Sequence, residues 1–117
     1  MTGDAFTPAG RALVTLGRSG LRVARLGLGA SFAAPTASYE EAFARGVNYF
    51  YWGTLRQPLM AAAIRHLAPH YRTQLVVVLQ SYARLGVLVE RSIERALASL
   101  GLEYADVLLL VLQRDFP

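Results

Sequence analysis

Short apolar runs recur along this chain, and helix-like segments fill the gaps between them. Leu26 to Ala30 reads as a short strand with close-approach glycines at its end, and Val47 to Tyr51 is a continuous β-favouring run. Leu75 to Leu79 shows no alternation of polar and apolar positions, which predicts a strand buried on both faces. Ala105 to Leu112 is again apolar and strand-like. The first gap predicts a helix over about Thr36 to Arg45, with Thr36 or Ser38 as its cap and Gly46 as its stop. Pro58 suits the first turn of a second helix, expected to end before Pro69. The third helix is the clearest, Gly86 to Leu100. Val89, Ile93, Leu97 and Leu100 form one stripe, Glu90, Arg91, Glu94 and Arg95 read as a solvated face, and Gly101 stops it.

Ahead of these units, Leu13 to Leu16 and Leu21 to Val23 flank Gly17-Arg18-Ser19-Gly20, a pattern expected of a hairpin. Residues 1–10 are rich in small residues and are expected to be a disordered leader, leaving 11–117 as one domain. The whole reads as a hairpin followed by β-α-β-α-β-α-β at a spacing of roughly 25–30 residues, which suits βαβ units. Apolar strands alternating with helices imply an α/β fold with a parallel sheet covered by helices. With right-handed crossovers such units build either an open doubly wound sheet or part of a closed barrel, and the pattern does not separate the two.

Composition narrows the class. In 117 residues, 54% are hydrophobic and 17% charged, enough for one compact core and unlike a disordered chain. With no cysteine, disulfides, thiolate chemistry and zinc–thiolate sites are excluded. The net charge of +4 comes from arginine alone, scattered singly, without the basic run or stripe that a nucleic-acid surface shows. No stretch reaches the ~18 apolar residues a membrane span needs. The start of the chain lacks the layout of a signal peptide. The expectation is a soluble, cytoplasmic protein with no nucleic-acid or membrane partner.

Three stretches carry a family resemblance. Leu16 to Ala30 (LGRSGLRVARLGLGA), Arg45 to Phe50 (RGVNYF), and Ser92 to Leu110, with Ser99-Leu100-Gly101 and Tyr104-Ala105-Asp106-Val107, stand in one register over about residues 14 to 112. In that order they resemble the opening hairpin, the second strand, and the third helix with fourth strand of the aldo-keto reductases. The resemblance implies the N-terminal half of a (β/α)8 TIM barrel: the hairpin plus about four β/α units. It also implies NADP(H) as cofactor, small-molecule carbonyls as substrates, and a site at the C-terminal ends of the strands. Such enzymes work through Asp, Tyr, Lys and His. The tyrosine donates a proton as hydride arrives, the lysine paired with the aspartate lowers the tyrosine pKa, and the histidine orients the substrate.

Carried over position by position, the aspartate becomes Tyr51, the tyrosine Arg56, the lysine Gln80 and the histidine Val111. A shift of two residues places Gln113 at the last. No register slip supplies a lysine, because the chain has none. Of the family's cofactor-contacting positions only Gly29, Ala30 and Ser31 are present.

Tyr51, Trp52 and Tyr82 are expected near the ends of strands. Either Tyr51 or Tyr82 replaces the lost proton donor with Arg56 lowering its pKa, or the aromatics simply fill a pocket, the reading the residues favour. Gln80 either bonds a ligand or satisfies a strand end. His66 and His70 are four apart, yet Pro69 intervenes and no third ligand is evident, so no metal site is expected. Gly27 and Gly29 do not form a dinucleotide fingerprint.

The functional expectation is an aldo-keto-reductase-like domain that does not catalyse as this chain and acts, if at all, as a binding or scaffold domain. The alternatives are a truncated part of a divergent NADPH-dependent carbonyl oxidoreductase, and a vestigial half-barrel. Four parallel strands with open edges also predict self-association, pairing two half-barrels.

Overall fold

The computed structural model describes residues 13–31, 33–53 and 56–110. The expected leader and both candidates for the histidine position, Val111 and Gln113, lie outside the described residues. Two short strands, β1 (Val14–Thr15) and β2 (Arg22–Val23), pair antiparallel as expected. Their turn needs Gly17 and Gly20 at φ 54° and 77°, where a side chain would be strained. Then follow β3 (Leu28–Gly29), α1 (Thr36–Ala44), β4 (Tyr49–Trp52), α2 (Pro58–Tyr71), β5 (Val76–Ser81), α3 (Gly86–Leu100) and β6 (Val107–Leu110). Strands β3 to β6 form one parallel sheet in chain order, so this is an α/β fold of four parallel strands and three helices among the described residues.

Alternation along the strands sorts side chains onto two faces. Phe50, Trp52, Val77 and Leu79 face the helices and pack with Tyr39 and Phe43 of α1, Met60 and Ile64 of α2, and Ala96 and Leu100 of α3. Burial of each large side chain there contributes about 1.5–3 kcal/mol. Tyr49, Tyr51, Val76, Val78 and Val107 point the other way, where Val14, Leu16, Leu21 and Val23 of the hairpin pack against them. Both faces of Val76 to Leu79 are therefore buried, which is why that run shows no polar alternation.

Two local expectations need correction. Neither Thr36 nor Ser38 caps α1: its N-cap is Pro35, without a side-chain cap. The Thr36 hydroxyl instead donates to the Leu59 carbonyl at 2.9 Å, joining α1 to α2. Helix α2 does not stop before Pro69 but runs on to Tyr71. The proline removes one N–H from the ladder. The last turn is kept by the Tyr71 ring against Phe43, 5.3 Å between centroids, and by Gln74 and Leu75, whose N–H groups both reach the Tyr71 carbonyl. Helix α3 has the expected bounds. Gly101, at φ 67°, ends it with Leu102 N–H on Leu97 O and Gly101 N–H on Ala98 O, the paired bonds of a left-handed glycine stop.

Candidate functional site at the C-terminal strand ends

In parallel α/β sheets the carboxyl ends of the strands are where loops and ligands gather. Here that end brings together Gly29 to Ser31 after β3, Tyr51 and Trp52 on β4, and Gln80 and Ser81 on β5. Gly29 pairs with Tyr51, and a Cβ on it would lie 3.9 Å from the Tyr51 ring. The ring also covers Gly53, where a Cβ would run into its Cζ, so a side chain there would displace it. Thus held, the Tyr51 hydroxyl donates to Gln80 Oε1 on the neighbouring strand. Gln80 stands two residues beyond Val78, the register partner of Tyr51, and so shares its face.

Arg56 goes elsewhere. It is the non-glycine residue with a positive φ (46°) among those described, a sparsely populated backbone state. Its guanidinium donates to Ser92 Oγ of α3 at 2.7 Å and lies 6.0 Å from the Trp52 ring centroid, on the helix side of the sheet. Trp52 is buried on that side and donates from Nε1 to the Gln57 carbonyl at 2.7 Å. Gln57 in turn caps α2, its side-chain oxygen accepting from the N–H groups of Leu59 and Met60. Tyr51 thus meets a neutral amide on β5, and the Arg56 guanidinium meets a serine and an indole.

The other sequence candidates scatter. Tyr82, just past β5, is 55% exposed. Ala30 is turned into the helix-side core, leaving Gly29 and Ser31 as the exposed part of their loop. His66 is exposed and lies 3.2 Å from Glu40, while His70 stacks beside Tyr71 in the last turn of α2. Among the described residues no three His, Asp or Glu side chains converge on a metal position.

The polar residues that the sequence did not single out sit at the opposite, N-terminal end. Asn48, 1% exposed, accepts from Ala24 N–H at 2.8 Å and donates to the carbonyls of Arg22 and Gln74. Arg72 binds Asp106 Oδ2 at 2.9 Å and the carbonyls of Leu75 and Tyr104, with its guanidinium 3.9 Å from the Tyr104 ring centroid. An asparagine ahead of an aromatic run and an aspartate opening an apolar one were the available signals. Two surface clefts also lie at this end. One of about 530 Å³ sits between Arg65, Arg72, Leu102 and Tyr104, and one of about 300 Å³ between the hairpin and Asn48. No helix among the described residues is long and apolar enough to cross a membrane. No protein-family model matches the chain, and no curated protein matches it.

Proposed function

We infer that this chain is a half-barrel of the aldo-keto reductase type in which the carbonyl-reducing machinery has been replaced, leaving a binding or scaffold domain. What carries the reading is the Tyr51–Gln80 hydrogen bond. The two positions where the resemblance places the aspartate and its paired lysine sit on neighbouring strands, on one face, within bonding reach of each other. That is the geometry an ion pair at those positions needs. The pair present is neutral, a phenol on an amide where the resemblance places a carboxylate and a lysine. Arg56, at the position of the proton donor, has its guanidinium on Ser92 and Trp52. The hairpin beneath Val76 and Val78 and the chain-ordered parallel strands suit the barrel half of this reading.

The residues present do not fit a dinucleotide on their own. With Ala30 in the core, only Gly29 and Ser31 of the cofactor loop are exposed. A reductase of this type draws its hydride from NADPH. What these residues themselves do is place Tyr51 against Gln80 and cover Gly53 with its ring.

The test is NADPH oxidation followed by absorbance, with a panel of small aldehydes and ketones and the 117-residue chain as catalyst. The expected rate equals that of a protein-free control. NADPH turnover that disappears in Tyr51→Phe would overturn the reading and make Tyr51 the proton donor.

A further inference from the structure

We propose that the open face and edges of the sheet are an interface between two copies of this chain, which join β6 of one to β3 of the other, twice, into an eight-stranded barrel. The inference rests on the half-barrel reading above and deepens it by naming the partner. Parallel sheets are stable when both faces are covered. Here the helices cover one face over β4 and β5 but leave Leu108 and Leu110 of β6 exposed, whereas the hairpin covers only the N-terminal part of the other, over Val76 and Val78. Beyond it Tyr51, Gln80 and Val107 remain half-exposed.

The edges point to a second copy rather than to a partner of different chemistry. Among the described residues, strand β6 ends the sheet with Leu108, Leu109 and Leu110 exposed at 43%, 41% and 54%. At the other edge, Leu26 is 65% exposed just before β3. Neither the stretch from Leu26 to Ser31 nor that from Val107 to Leu110 carries a charge or a proline, the devices that normally prevent strand-to-strand pairing. Both edges run the same way, so β6 continues into a second β3 without reversing the parallel order. Four strands from each copy also make the strand number at which such sheets close with side chains filling the interior. Leu109 pairs with Gln80, so it faces inward with Val107, and Leu108 and Leu110 flank the seam on the outer side. The four exposed leucines offer on the order of 300 Å² per copy, against roughly 800 Å² in a standard interface. The remainder has to come from the inner face and the two backbone edges.

Light scattering after size exclusion, with sedimentation over a concentration series, tests this on the whole chain. The expected particle is twice the 12.8 kDa chain mass. Leu109→Arg buries an unpaired charge at the seam and is expected to weaken association at least about a hundredfold with the helical circular dichroism retained. Leu109→Gln serves if the arginine variant does not fold. Leu88→Arg, on the exposed side of α3, is expected to leave the dimer intact. A monomer at all concentrations, a ladder of larger species, or a dimer indifferent to both Leu109 variants would overturn the proposal. Because the chain has no cysteine, Leu28→Cys chains can be mixed with Leu108→Cys chains, both positions lying on the helix side of the sheet. A disulfide between the two kinds supports the β3–β6 seam. One joining Leu108→Cys chains to each other overturns it. The monomer outcome leaves the loss of catalysis untouched, since that reading is judged by NADPH oxidation alone.

Discussion

At the N-terminal end of the sheet, buried polar side chains tie strand to strand and strand to helix; at the C-terminal end, the polar side chains bond mainly to each other and to loop groups. Asn48 alone joins the hairpin, β4 and the entry to β5. Asp106 accepts from Arg72 of the α2 end and from Val77 N–H, so it joins α2, β5 and β6. The Tyr51–Gln80 bond and the Arg56–Ser92 bond instead lie at half-buried positions. In a β/α architecture the N-terminal end serves stability and the C-terminal end is free to carry function. The free-energy cost of mutation should follow the same division, and substitutions at four positions rank the two ends.

Asp106→Ala is expected to have the largest effect. It strands Arg72, whose side chain is only 16% exposed, and leaves Val77 N–H without its acceptor. Removing one partner of a buried pair costs about 3–5 kcal/mol, to be read from urea denaturation. A loss below about 1 kcal/mol would remove the N-terminal end from its assigned role. Asn48→Ala comes next, at about 3 kcal/mol, because three backbone groups lose their partners at once. Asn48→Asp sharpens the point. The acceptor for Ala24 N–H survives, but an oxygen then faces the carbonyls of Arg22 and Gln74, so the cost should remain comparable.

At the other end, Gln57→Ala removes the side-chain acceptor for Leu59 and Met60 N–H, and about 1 kcal/mol is expected, the ordinary value of a helix cap. If it matches Asn48→Ala, the caps at the C-terminal end carry as much stability as the buried network and the contrast fails.

How far the sequence revealed this division depends on the range of each interaction. The α3 bounds were legible because one apolar stripe and one glycine define them locally, and β5 because a run buried on both faces needs no polar position. The hairpin was legible from its Gly/Ser turn. The end of α2 was not, because Pro69 is a strong local stop and what overrides it is the tertiary contact of Tyr71 with Phe43, 28 residues away in sequence. Gln57 escaped notice because glutamine is not among the residues expected at a cap. The Arg72–Asp106 pair spans 34 residues and carries no periodic signature. The site positions were nameable through the resemblance, but residue types alone did not show that Tyr51 would meet Gln80 while Arg56 turned to Ser92 and Trp52.

The smallest effect is expected at the pair that carries the functional reading. Tyr51→Phe removes a neutral hydrogen bond whose acceptor, Gln80, is half-exposed and can turn to water. The ring still packs over Gly53, so its apolar contribution stays. The loss should be about 0.5–1 kcal/mol. A double-mutant cycle with Gln80→Leu should give a coupling of the same size. A coupling near 3 kcal/mol would mean that this pair holds the sheet as firmly as Asn48 does. Its residue types would then be dictated by folding, and the neutral pair would no longer support the proposed loss of reductase chemistry. A coupling under about 1 kcal/mol leaves the C-terminal end with little structural reason to be Tyr and Gln. Stability then fails to explain the choice, as the proposed loss of catalysis at this site requires.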